Sequence, residues 1–256
     1  MTIVHALLLG IIEGITEFLP VSSTGHLILA ARFLDVPSTE FLKSFEIAIQ
    51  AGAILAVVWL YRRTLFRDWA GLKRVFAAFL PTAVVGFLLY KVIRRTLLGN
   101  ETIVLASLLL GGIALIVFEL FHREKADATD PIAQIPYWKA VLIGLCQSAA
   151  VVPGISRAAA TIVGGLALGL KRKSIVEFSF LLAIPTMLAA TGLDLLKSSA
   201  SFSGDQFILL AVGFATAFIV AGLSMRFLLY YIGRYNFIAF GVYRIFVALL
   251  FWFVIR

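Results

Sequence analysis

The chain has 256 residues, of which 61% are hydrophobic and only 14% charged, and its mean hydropathy is +1.01. Too few polar side chains are present to coat a soluble domain of this size, which argues against an ordinary globular enzyme. The formal net charge of +8 resides mostly in short loops between apolar runs, where bases set membrane topology, so it is not read as a nucleic-acid signal. The single Cys146 leaves no disulfide framework and no cysteine metal site.

Met1 leads straight into apolar sequence with no Lys or Arg before Arg32, so the N-terminus is expected to belong to the mature fold. The first apolar segment, Thr2–Leu34, is interrupted by EFLPVSSTGH at 17–26. Three uninterrupted runs follow, Phe41–Tyr61, Val75–Ile93 and Thr102–Phe121, each close to the ~20 residues a membrane-crossing helix needs. The pattern then repeats. Tyr137–Leu170 is interrupted by VVPGISRAAAT at 151–161, and the runs Ser174–Leu196, Phe207–Leu229 and Phe237–Ile255 complete the chain. Pro20 and Pro153 each remove a backbone donor, and Gly25 and Gly154 loosen the chain beside them. Non-helical backbone at membrane depth is tolerated only where protein buries it or it lines a wet cavity, so both segments are expected to be re-entrant hairpins with meeting tips, a kinked spanning helix being the alternative.

Pro20 and Pro153 lie 133 residues apart, and the same offset relates Ser23 to Ser156, Phe45 to Phe178, Leu55 to Leu188 and Ala56 to Ala189. Glu13 and Gln147 match with a one-residue shift. Each half then holds one hairpin and three spans, and an odd number of spans makes the second copy enter from the opposite face. The expected fold is therefore all-α and polytopic, with two inverted-topology repeats. These form one integral membrane domain over 1–256, with repeat 1 at about 1–122 and repeat 2 at about 137–256.

Loop bases set the orientation. Thirteen fall on one side (Arg62, Arg63, Arg67, Lys73, Arg74, Arg123, Lys125, Lys139, Lys171, Arg172, Lys173, Arg226, Arg234) and seven on the other (Arg32, Lys43, Lys91, Arg94, Arg95, Lys197, Arg256). The richer side is expected to be cytoplasmic, which turns both termini and the mouth of the first hairpin outward. Arg172, in that basic loop, is expected to be a bystander.

The chemistry-bearing residues collect at the two breaks. Glu13 and Glu17, spaced i and i+4, share a helix face within apolar sequence. Carboxylates in such a place mark a function or a buried pair, and two hard oxygen ligands suit Mg²⁺ or Ca²⁺. Ser22, Ser23, Thr24 and His26 follow. Hydroxyls at a helix break commonly cap, but Ser23 also has His26 and Glu17 close enough in sequence to act as a base. Arg157 is the only Lys or Arg between Lys139 and Lys171. Its planar fork suits a phosphate, aided by backbone N–H groups at the start of a new helix, or it neutralises Glu13 or Glu17. This set suits hydrolysis of a phosphate ester or anhydride on a lipid, and a transporter of an anionic lipid remains a second reading.

EGITEFLPVSSTGH at 13–26 and PGISR at 153–157 with Thr161 resemble the two signature motifs of the undecaprenyl pyrophosphate phosphatase (bacitracin-resistance) family. SFEIAIQAG at 44–52, EFSFLLAIP at 177–185 and YRI at 243–245 extend the resemblance over nearly the whole chain. It implies an enzyme of the bacterial inner membrane, with an outward-facing site, that removes the terminal phosphate of undecaprenyl diphosphate with a divalent cation. That reaction regenerates the lipid carrier for cell-wall polymers. The resemblance also implies roles: Glu13 and Glu17 as the acidic, metal-binding pair, Ser23 as nucleophile, His26 as base or orienter. Ser156 and Arg157 form the phosphate-binding end, with Ser22, Thr24, Gly154 and Thr161 as further phosphate contacts. The partners it implies are the lipid diphosphate, the membrane and, as an allowed assembly, a second copy of the chain. The chain departs from the family at Ala158 and Ala159, where Ser and Gly are expected. A second family of membrane lipid phosphatases requires a late His paired with Asp, and no His follows His122. Phosphatases with an Asp nucleophile are disfavoured because no Asp-x-Asp occurs.

Overall fold

The computed structural model describes residues 1–92, 96–97, 100–124, 128, 131–197 and 203–255. The loop bases Arg94, Arg95, Lys125 and Arg256 and the end of the second run at Ile93 lie outside the described residues. Among the described residues the regular structure is helical throughout. The order is α1 (Ile3–Thr16), α2 (Ser23–Phe33), α3 (Glu40–Leu60), a short α4 (Arg62–Arg67), α5 (Trp69–Val92) and α6 (Glu101–Phe121). Then come α7 (Tyr137–Ser148), α8 (Arg157–Ala167), α9 (Arg172–Lys197), α10 (Gly204–Ile232) and α11 (Ile238–Ile255). Among the described residues, five helices, α3, α5, α6, α9 and α10, are long and apolar enough to cross a membrane, and α11 adds 18 residues that are apolar but for Tyr243 and Arg244. At 1.5 Å per residue, α1 with 14 residues and α2 with 11 reach only about 21 and 17 Å, short of a ~30 Å hydrocarbon core. α7 and α8, with 12 and 11 residues, are equally short.

With the six-residue α4 set aside, both halves run short, short, long, long, long, and their packing is reciprocal. α1 packs on α10 of the other half, α7 packs on α5, and α6 packs on α11. Small residues permit these approaches, because lipid supplies no hydrophobic drive between helices and close van der Waals contact must do so. A Cβ on Gly144 would collide with the Ala78 carbonyl on α5, and one on Gly112 of α6 with the Gly241 carbonyl on α11. Phe45 and Phe178, the pair related by the 133-residue offset, are both fully buried. The outer surface carries the lipid-facing apolar side chains, such as Phe87, Leu110, Leu223 and Phe253.

Buried polar side chains tie the two halves together. Gln147 Nε2 donates to Thr82 Oγ1 at 2.9 Å and to Thr186 Oγ1 at 3.1 Å, joining α7 to α5 and α9 just after Pro81 and Pro185. Arg172 is not the bystander its loop position suggested. It pairs with Glu119 at the end of α6 through two hydrogen bonds, one of them 3.1 Å from Nη2 to Oε2. The Arg172 and Glu119 side chains are 16% and 2% exposed. Arg172 opens α9, and chain direction there points it back at α6, which the linear loop reading could not reveal.

Candidate active site

The first break begins where α1 ends, with the Glu17 N–H still bonded to the Glu13 carbonyl. Residues 17–21 form turns, and α2 resumes at Ser23 behind Ser22, whose φ of 74° lies in the left-handed region. A non-glycine residue there is strained, and such strain persists only where surrounding contacts over-determine it. Here His26 holds the Ser22 carbonyl twice, from its backbone N–H at 3.2 Å and from Nδ1 at 2.7 Å. The second break turns at Gly154, φ 94°, where a Cβ would also press on Ser107 and Val104 of α6. α8 then starts at Arg157 with Ser156 as N-cap, its Oγ accepting the Ala159 N–H at 3.1 Å.

The two tips meet on one carboxylate. Ser23 Oγ donates to Glu17 Oε2, and Arg157 Nη2 donates to Glu17 Oε1 at 3.0 Å. Arg157 Nη1 donates to the Ser179 carbonyl at 2.8 Å, fixing the guanidinium to α9. Its plane lies over the Phe18 ring, 5.7 Å from the centroid. Arg157 Nε is buried with no hydrogen-bond partner among the described residues. Glu13, one turn back, is 0% exposed, and neither of its carboxylate oxygens has a partner among the described residues. An anionic group buried without donors is costly, so this carboxylate fits a cation or a proton.

The remaining predicted residues divide. Ser22 is buried and supplies its carbonyl to His26, and Thr24 is half-buried in the first turn of α2. His26 does not face Ser23. Its Nδ1 is taken by the Ser22 carbonyl and its Nε2 lies 2.9 Å from Tyr243 Oη. Besides capping α8, Ser156 Oγ touches the Leu19 carbonyl at 3.5 Å. Thr161 is 0% exposed, its hydroxyl 2.9 Å from the Arg157 carbonyl and 3.2 Å from Gln147 Oε1, within the knot below the tips. Ala158 and Ala159 are buried.

Two residues were missed. Arg244 on α11 is 1% exposed and donates to four carbonyls: Pro20 (3.3 Å), Gly154 (3.0 Å), Ser107 (3.0 Å) and Leu108 (3.4 Å). It therefore stitches both tips to α6. Glu46, half-buried on α3, brings another carboxylate within electrostatic reach of Glu13. In each case the signal was available, since a lone charge inside an apolar run is expensive and asks for a partner.

The chain matches the family described as "Bacitracin resistance protein BacA" over residues 6–250. It belongs to that family. Curated relatives include proteins named undecaprenyl-diphosphatase from Persephonella marina, 49% identical over 251 residues, and Aquifex aeolicus, 51% identical over 251 residues. Both alignments cover 98% of this chain and 98% of the relative. A Campylobacter jejuni protein of the same name is 45% identical over 251 residues, 98% of this chain and 93% of the relative. The family agrees with the resemblance read from the two break motifs.

Proposed function

We propose that this chain is an integral membrane phosphatase that hydrolyses undecaprenyl diphosphate to undecaprenyl phosphate and inorganic phosphate. The observation that carries the reading is the Ser23–Glu17–Arg157 contact between the two tips. A hydroxyl on a carboxylate is a nucleophile beside its base, which transport of a lipid does not require. That arrangement, together with relatives named undecaprenyl-diphosphatase, weighs against a transporter or flippase.

In this mechanism the diphosphate headgroup enters between the tips while the prenyl chain stays in lipid. Arg157 presents its unpartnered Nε and its fork to the terminal phosphate, in part exchanging Glu17 for substrate. Ser23 Oγ attacks the terminal phosphorus and its proton passes to Glu17. The anhydride P–O bond breaks, and its electron pair leaves with undecaprenyl phosphate. Water then attacks the phosphoseryl phosphorus and its hydroxyl leaves with it as inorganic phosphate, while Glu17 returns its proton to Ser23 Oγ and the remaining water proton goes out with the product. The N–H groups at the start of α8, with Ser156 and Gly154, frame the anion side, and Ser22 and Thr24 line the facing tip. Glu13 with Glu17 would hold a divalent cation, Mg²⁺ or Ca²⁺, which when bound would neutralise charge on the diphosphate.

The two break segments are read as re-entrant hairpins of one membrane domain, in repeats of inverted topology. Short helix lengths and reciprocal packing of the halves support this. The base count supports a site opening to the outer face of the inner membrane. The test is phosphate release from undecaprenyl diphosphate by purified protein in detergent, with Ser23→Ala alongside. Wild-type turnover with loss in Ser23→Ala is expected, and no turnover by wild type would reject the reading.

A further inference from the structure

The sequence offered His26 as a base for Ser23, and the geometry gives it a different task. A carbonyl oxygen only accepts hydrogen bonds, so the 2.7 Å contact to the Ser22 carbonyl puts the imidazole proton on Nδ1. In the neutral ring Nε2 is then an acceptor, and the group 2.9 Å from it is the Tyr243 hydroxyl, a donor. The two rings also stack, with centroids 5.5 Å apart and planes 6° from parallel. Tyr243 comes from α11, 217 residues along the chain from His26, and immediately precedes Arg244, which holds the Pro20 and Gly154 carbonyls.

These contacts form a relay that ends at the nucleophile. The Tyr243 hydroxyl fixes which nitrogen of His26 is protonated. His26 Nδ1–H then secures the carbonyl of Ser22, the residue with φ 74°. That kink turns the chain so that Ser23 starts α2 with its Oγ on Glu17. We infer that Tyr243 is a positioning residue, setting the Nδ1–H form of His26 so that His26 holds the strained Ser22 peptide and presents Ser23, with Glu17 as the base. The activity arm of the test rests on the phosphatase reading, and the spectroscopic arm does not.

Full-length protein labelled with [¹⁵N]histidine in detergent is examined by two-bond ¹H–¹⁵N correlation, with His26 identified by its absence in His26→Asn. The expected wild-type pattern is Nδ1–H. In Tyr243→Phe, which keeps the stacked ring and removes one oxygen, the Nε2–H form should grow. Turnover should fall about five- to tenfold, the scale of one neutral hydrogen bond, with KM within about twofold. Tyr235→Phe, exposed on the far end of α10's C-terminal loop, should match wild type. Asn can donate to the Ser22 carbonyl from nearly the same place, so His26→Asn should keep much of the turnover that His26→Ala loses. An Nε2–H pattern in wild type, unchanged turnover in Tyr243→Phe, or a loss in His26→Asn as deep as in His26→Ala would overturn the inference. A wild type without phosphatase activity would reject the function instead, leaving the ring pattern to judge the relay.

Discussion

Arg157→Ala and Arg157→Lys separate charge neutralisation from phosphate binding. Arg157 Nη2 lies 3.0 Å from Glu17 Oε1, with side-chain exposures of 11% and 7%. At an effective dielectric of about 20, the attraction at that distance is roughly 5–6 kcal/mol, and desolvation of both groups offsets much of it. Truncation to Ala leaves Glu17 buried and uncompensated, which typically costs about 3–5 kcal/mol. On protein that remains monodisperse by size exclusion, loss of one preorganised donor to the transferring phosphate should also cost about 10²–10³ in kcat. Lys retains the charge, but its compact ammonium lacks the planar fork that lets Arg157 bind Glu17 and the Ser179 carbonyl from separate nitrogens, so Arg157→Lys should be better folded and still lose on the order of tenfold. The assay is phosphate release from undecaprenyl diphosphate at saturating substrate, with the exposed Arg63→Ala as control. Near-wild-type kcat in Arg157→Ala would show that the guanidinium only neutralises Glu17, and the phosphate-binding role would fall.

Glu13→Gln should remove most activity and abolish metal dependence, matching EDTA-treated wild type. An active variant that still responds to added Mg²⁺ or Ca²⁺ would take the cation away from Glu13. Arg244→Met leaves the Pro20 and Gly154 carbonyls without their cation. With charged hydrogen bonds contributing about 1.5–3 kcal/mol each, it should lower thermal stability markedly, measured by tryptophan fluorescence in detergent. Unchanged stability and turnover would rule out the stitch. Arg172→Ala should destabilise the protein by about 3–5 kcal/mol through the stranded Glu119, and Arg172→Ala/Glu119→Leu should recover much of that. A single variant as stable as wild type would return Arg172 to the role of bystander.

Hydropathy located the long helices, with starts displaced by up to six residues, because a spanning helix must be apolar wherever lipid surrounds it. The run beginning at Val75 became a helix from Trp69, and that beginning at Phe207 one from Gly204. Backbone hydrogen bonding continues past the apolar core into the interface, where Lys73 and Arg74 are tolerated. The helix breaks at 17–22 and 149–156 were also legible, since Pro and Gly act locally.

By itself, then, the sequence determined an all-helical membrane chain, the two breaks, and the residues gathered at them. Those follow from local backbone chemistry and from the cost of polar groups in lipid, which spacing reveals. Only the tertiary structure decided the pairings. Glu17, six residues before Ser23, is its hydrogen-bond partner, while His26, only three residues after it, turns away to Tyr243. Thr161 closes a buried knot with Gln147, Arg172 holds Glu119, and Arg244 binds carbonyls of both tips. A buried donor takes whichever acceptor the fold brings within about 3 Å. Those acceptors lie up to 224 residues away along the chain, so helix packing, and not sequence spacing, selects them.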